Sequence, residues 1–181
     1  MYKFAPADTQ EIIVFGAARP RYALESVEQW IEFMQRQKIQ RICCLLERDC
    51  LSRYPIDLLE IYQQKFDREN VLWQPIADFQ LPQSSNLIEQ IIPWLIRSEQ
   101  NQEKVVVHCS GGIGRTGVVL ASWLVARRGF TNREAISAVK QNLRNPHEAI
   151  IAALLKFNNP YGIKRQLDNL LNDCRHAFVQ Y

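Results

Sequence analysis

Apolar positions in this chain alternate between short dense runs and longer stretches with an apolar residue every three or four places, the pattern of strands interleaved with helices. Ile12–Phe15 is a strand candidate, stopped by the loop Gly16-Ala17-Ala18-Arg19-Pro20. Ser26 with Gln29 marks a helix start, and Trp30, Ile31, Phe33 and Met34 supply its apolar residues. Ile39–Leu46 is a strand apolar enough to be buried on both faces, and Pro55 can open a helix carrying Leu58, Leu59, Tyr62 and Phe66. Val71–Ile76 reads as a strand, followed by a loop over Ala77–Gln83 and a helix marked by Leu87, Ile88, Ile91, Ile92 and Leu95, with Pro93 as its kink. Lys104–His108 is a strand and Arg115–Arg128 a helix closed by Gly129. Thr131 or Asn132 caps a helix to about Leu143, and Glu148–Phe157 and Lys164–Phe178 complete the set. The last of these has Leu167, Leu170, Leu171, Cys174 and Phe178 on one face.

Strands alternating with helices predict an α/β fold, a central and largely parallel sheet flanked by helices, in one domain over residues 1–181. With 47% hydrophobic residues the chain can bury a sizeable core. A net charge of +3 suits an anionic substrate, but no basic run or basic-aromatic interleaving points to nucleic acid. The longest apolar run, within Val118–Ala126, is too short to span a membrane, and no signal peptide is apparent. Five cysteines at spacings unlike a metal site predict a reducing, cytoplasmic setting, and a monomer is expected.

The chemistry concentrates in residues 108–117, His-Cys-Ser-Gly-Gly-Ile-Gly-Arg-Thr-Gly, which join the strand Val105-Val106-Val107 to the helix after it. Gly111, Gly112 and Gly114 suit a loop that bends tightly and brings its backbone close to a ligand. Consecutive amides from Ser110 through Ile113 to Arg115, at a helix N-terminus, make an anion-binding concavity. Cys109 at its rim is expected to ionise near neutral pH, and the planar fork of Arg115 matches two phosphate oxygens. Cleaving a phosphate monoester also needs an acid for the leaving oxygen. Asp78, on the loop after a buried strand, is the best candidate; Glu47, Asp49, Asp57 and Glu60 compete with it. His147 and His176 read as surface residues.

This segment resembles the signature of the cysteine-dependent protein tyrosine and dual-specificity phosphatases, His-Cys-x-x-Gly-x-x-Arg-Ser/Thr-Gly, matched at His108, Cys109, Gly112, Arg115, Thr116 and Gly117. The Asp78 loop and the short chain are similar to the compact dual-specificity branch. The resemblance implies that Cys109 forms a cysteinyl-phosphate, Arg115 and the loop amides hold the phosphate, Asp78 acts as general acid, Thr116 helps the thiol leave, and His108 orients the loop by hydrogen bonding. It implies a phosphorylated protein as substrate, through phosphotyrosine with phosphoserine and phosphothreonine as further targets, and no metal or other cofactor. Phosphoinositide and RNA 5′-phosphate hydrolysis are alternatives in the same superfamily; a phosphoprotein-binding module with little turnover is another. The stretch Arg144-Asn145-Pro146-His147-Glu148-Ala149-Ile150 is loosely similar to a family segment, and Arg144 receives no catalytic role from it. Cys43 and Cys44, on a strand expected beside the site, are either core residues or redox partners of Cys109.

Overall fold

The computed structural model describes residues 2–148 and 160–178. Among the described residues five strands form one sheet, β1 (Ala5–Pro6), β2 (Val14–Ala18), β3 (Arg41–Cys44), β4 (Val71–Trp73) and β5 (Val105–Cys109), in the order β1-β2-β5-β3-β4. All neighbours run parallel except β1, which pairs antiparallel with β2 at the edge. An edge is where a strand containing a proline, here Pro6, can sit. The sequence did not reveal β1, which has only two residues.

Alternation along the strands divides the core between two faces. Val105, Val107, Cys43 and Val14 face one layer, made by the helices of residues 86–100, 114–127, 132–141 and 160–178. Val106, Ile42 and Cys44 face the other, where the helices of residues 24–36 and 58–66 bring Trp30, Met34, Leu58 and Tyr62. Helix α1 (Leu24–Arg36) buries Val27, Trp30, Ile31 and Met34, the spacing of a single helical stripe. It begins two residues before the expected Ser26, with Ala23 at its N-cap and no side-chain cap. A short helix α2 (Arg48–Leu51) was not expected. Helix α3 (Leu58–Phe66) is started by Asp57, whose carboxylate accepts from the Leu59 and Glu60 amides, so Pro55 lies in the preceding turn instead of opening the helix. Pro93 does not simply kink α4 (Asn86–Gln100). The helix is wide over Asn86–Ile91 and regular over Ile92–Gln100, with Pro93 in the first turn of the regular part. A proline cannot donate to the carbonyl four residues back, and the wide turn relieves that mismatch.

Helix α5 (Gly114–Arg127) runs through the middle of its layer and is buried from Gly114 to Ala126. Glu11 ties its far end to the sheet, accepting from Trp123 Nε1 at 2.8 Å, from the Ile13 amide at 2.9 Å and from Arg128. The reciprocal cap between Thr131 and Glu134 starts α6 (Asn132–Gln141). Leu167, Leu170, Leu171 and Cys174 of α7 (Pro160–Phe178) are buried against α5, with Phe178 partly so. Each such leucine contributes about 1.5–3 kcal/mol through its removal from water. The helix expected over Glu148–Phe157 lies, beyond Glu148, outside the described residues. Among the described residues no helix is long and apolar enough to cross a membrane.

One expectation is corrected in β2. Gly16, Ala17 and Ala18 are not a loop; they pair with Val107, His108 and Cys109 in the sheet. Gly16 is small because a long side chain crosses it: a Cβ there would lie 2.8 Å from Arg144 Nε. Glycine inside a strand marks such close approaches.

Candidate active site

Strand β5 sits between β2 and β3 and is parallel to both, so its carboxyl end opens at the centre of the sheet edge. Ligands in α/β folds bind in that crevice. The chain leaves β5 at Cys109, turns through Ser110–Ile113 and enters α5 at Gly114. Among the described residues no side chain caps α5, so the amides of its first turn and the positive end of its dipole are available to an anion. Gly112 makes the turn possible. Its φ is +66°, and a Cβ would lie 2.5 Å from the backbone of Ala17 and Ala18. The loop thus rests directly on the end of β2, fastened by the Arg19 amide, which donates to the Cys109 carbonyl at 3.0 Å.

The structure brings Cys109, Arg115, Asp78 and Thr116 together. Cys109 is 2% exposed, and the buried Thr116 hydroxyl donates to its sulfur at 3.2 Å. The Arg115 guanidinium donates to the Ile76 carbonyl at 2.9 Å and to Ser110 Oγ at 3.1 Å, and pairs with Asp78 Oδ1 at 2.9 Å. The Asp78 side chain is 52% exposed, so solvent screens this pair and its loop is not locked down by burial. The next residue, Phe79, has φ +59° and is also exposed. A bulky side chain in the left-handed region is unfavourable backbone geometry, and it places strain in the loop that carries the acid.

Of the competing carboxylates, Glu47 serves the same loop, accepting from the Asp78 amide at 3.1 Å. Asp57 is occupied in capping α3. His147 is bound to Lys140 Nζ at 3.1 Å, and His176 is exposed. Among the described residues no cluster of three or more His, Cys, Asp and Glu could hold a metal ion.

His108 meets the Cys109 backbone at the root of the loop. Its ring is wholly buried, edge-on to Trp30 and Tyr62 at 5.3 and 5.6 Å. Burial pushes its pKa down to about 3, outweighing the opposite pull of the Cys109 backbone. Below the usual value of 6.5 the unfolded chain binds a proton that the folded chain refuses. Stability is therefore complete above pH 6.5 and falls toward pH 3, by at most ~1.4 kcal/mol per pH unit from this group. Unfolding by urea across that range should show the slope, and His108→Phe should flatten it; an unchanged slope would assign the acid sensitivity elsewhere.

Cys43 and Cys44 are fully buried, with burial pushing both thiols up, Cys44 to about 12. The cysteine that touches the loop is Cys50 of α2, half-buried, 3.8 Å from Ser110 Oγ and 3.6 Å from the Tyr22 hydroxyl. The Arg19 guanidinium lies 3.7 Å over the Tyr22 ring and donates to the Tyr54 hydroxyl at 3.2 Å.

Arg144 also belongs to this site. It is 2% exposed and reaches across the chain to the Gly112 carbonyl at 2.6 Å, the Lys3 carbonyl at 2.6 Å and the Gly16 carbonyl. Its sequence signal was the loosely matched segment from 144 to 150, whose altered spacing hid it.

Residues 25–159 match the dual specificity phosphatase catalytic domain. Human dual specificity protein phosphatase 5 is 25% identical over 89 residues, covering 48% of this chain and 23% of that protein; the rat protein is 24% identical over the same extent. The chain thus spans about a quarter of the length of the curated relatives it matches. Among solved structures, the active form of Tk-PTP superimposes with a TM-score of 0.65 at 23% identity, over 88% of this chain and 93% of that one. Kinase associated phosphatase, with its catalytic-site cysteine replaced by serine, gives 0.67 at 23% identity over 93% and 88%. PTPMT1 in complex with PI(5)P gives 0.67 at 13% identity over 96% and 97%. At these identities the superpositions establish the shared fold, a central sheet flanked by helices.

Proposed function

Since the chain belongs to the dual specificity phosphatase family, we propose that it is a protein phosphatase that cleaves phosphotyrosine, and phosphoserine and phosphothreonine as well, through a cysteinyl-phosphate. The observation that carries this reading is the meeting of Cys109, Arg115 and Asp78 at an uncapped helix N-terminus. The Cys109 thiolate attacks phosphorus, and the phosphorus–oxygen ester bond breaks. Asp78 gives its proton to the leaving oxygen, while the loop amides and Arg115 hold the nonbridging oxygens. Water then attacks phosphorus, its proton passes to the Asp78 carboxylate, and the sulfur leaves as thiolate, steadied by the Thr116 hydroxyl that already donates to it. An incoming phosphate dianion takes over the face of Arg115 that Asp78 now occupies, so substrate itself releases the acid for its task.

No step asks for a metal. The loop interior, Ser110-Gly111-Gly112-Ile113, offers no lysine for the extra charge of a phosphoinositide. The test is turnover of matched phosphotyrosine, phosphoserine and phosphothreonine peptides, a phosphoinositide, and an RNA 5′-phosphate, with and without chelator. Chelator-resistant release of phosphate from the phosphotyrosine peptide, ahead of the lipid and the RNA, is expected. Binding without turnover would make the chain a phosphoprotein-binding module.

Arg115→Lys should lower kcat about 10²–10³-fold, because a point charge replaces two directed hydrogen bonds to the transferring group. Steady-state kinetics on an aryl phosphate check this; a lysine enzyme at wild-type rate would end the clamp assignment.

A further inference from the structure

We propose that Arg19 is a specificity-determining residue of this site, a fixed cation at the rim of the phosphate loop that receives a second anionic group, a carboxylate or a phosphate, carried beside the phosphoresidue of the substrate. The inference rests on the reading of the chain as a protein phosphatase, and it narrows the substrate to acidic or multiply phosphorylated segments.

The main chain puts Arg19 at the rim. It is the first residue after β2, and its amide donates to the Cys109 carbonyl at 3.0 Å and to the Ser110 carbonyl at 3.4 Å. The side chain is placed by contacts that lead back to the same loop. Its guanidinium lies 3.7 Å over the Tyr22 ring, the Tyr22 hydroxyl meets Cys50 Sγ at 3.6 Å, and that sulfur meets Ser110 Oγ at 3.8 Å. The charge is felt at the root of the loop. Burial pulls the His108 pKa down, and Arg19 and Arg115 add to the effect.

Among the described residues no carboxylate neutralises this charge. Arg19 enters no ion pair there, and the groups it acts on electrostatically are Tyr54, Tyr22 and Cys50. Arg128, also partly buried, is paired with both Glu11 and Glu99. An arginine keeps its charge at every pH of interest, so Arg19 is an unmatched cation. Among the described residues its hydrogen bonds all leave from Nη1, to the Pro20 carbonyl at 2.8 Å and the Tyr54 hydroxyl at 3.2 Å, and Nε has no partner.

The same contacts make the cation ready to bind. A free arginine loses rotamer freedom when it captures an anion, and that loss weakens most surface pairs. Here the Tyr22 ring and the two acceptors on Nη1 have already ordered the side chain. The rings of Tyr22 and Tyr54, at 3.7 and 5.8 Å, also displace water that would screen the charge. Arg115 cannot serve the second group, because it holds the phosphate being transferred. Arg19 stands on the other side of the loop, against the strand that the loop rests on.

The test uses phosphotyrosine peptides that differ at a single position beside the phosphotyrosine, filled by glutamine, glutamate or phosphoserine. That position is moved in turn along both sides, and hydrolysis is followed at the tyrosine. The readout is kcat/KM for an anionic peptide divided by that for its glutamine counterpart, each enzyme serving as its own reference. At the best position the wild type should favour an anionic peptide about fivefold, through KM, and high salt should shrink the preference. Arg19→Gln should bring the ratio to about one, and Arg19→Lys, which keeps the charge and loses the fork, should retain about half of the preference. A preference for glutamate assigns the subsite to an acidic side chain, and one for phosphoserine alone assigns it to a second phosphate; either supports the proposal. A merely structural role, propping Tyr22 and Tyr54, would slow all three peptides alike. An unchanged ratio in Arg19→Gln therefore overturns the proposal, as does a wild-type ratio of about one at every position. Should the glutamine variant not fold, salt decides: a wild-type preference that high salt leaves intact overturns it. Release of phosphate from none of the peptides would bring down the phosphatase reading, and this one with it.

Discussion

Cys109→Ser should abolish turnover, by about 10⁶-fold, the scale on which removing an enzyme's nucleophile acts. The substituted hydroxyl is not ionised at neutral pH, so nothing at that position can attack phosphorus. The rest of the cradle is built without the sulfur. Gly112 sits on the end of β2, Arg144 holds the Gly112 carbonyl, and Arg115 is fixed by the Ile76 carbonyl. Binding should therefore persist, and titration calorimetry with inorganic phosphate should give an affinity near that of the wild type. The Thr116 hydroxyl, 3.2 Å from the sulfur, can donate to the serine oxygen in its place, so the thermal midpoint should change little. Residual activity at a few per cent of wild type, after contaminating enzyme is excluded, would remove Cys109 as nucleophile. Loss of phosphate binding together with turnover would mean that the loop needs the thiolate to hold its shape.

How much of this was legible in the sequence depended on the range of the interaction behind each feature. β3 and β5 were readable because their residues are buried on both faces, a local property that leaves continuous apolar runs such as Val105-Val106-Val107. The same holds for α1, α3 and α7, whose buried stripes repeat at helical spacing. Gly16 was misread as loop punctuation because the reason for its smallness, Arg144, lies 128 residues away in sequence. β1 escaped notice because two residues at a sheet edge carry no period.

At the site, the run from His108 to Gly117 announced itself because a phosphate loop is a contiguous backbone device. Asp78 could be picked out as a loop carboxylate, but its pairing with Arg115 is a tertiary event with no local trace. For the cysteines, strand adjacency suggested Cys43 and Cys44, and Cys44 is close enough for Cys109 to act on its thiol; that the short helix α2 also brings Cys50 to Ser110 left no local trace.

Asp78→Asn should lower the rate on an alkyl or phenyl phosphate by about 10²–10⁴-fold, the usual worth of a general acid. The amide keeps the shape of the side chain and its reach to Arg115, but it has no proton to give. The loss should shrink for a nitrophenyl ester, whose leaving oxygen is a stable anion and needs little help, and the basic limb of the pH–rate profile should vanish. The ion pair adds a second signature that an acid acting from a distance would lack. In the resting protein the Asp78 carboxylate competes with phosphate for the same guanidinium, at 2.9 Å from Arg115. Removing its charge should therefore tighten inorganic phosphate binding severalfold while turnover falls. An equal loss for good and poor leaving groups would make Asp78 a positioning group for its loop. The acid would then be sought first at Glu47, which already holds the Asp78 amide at 3.1 Å, and next at Asp49 and Asp57.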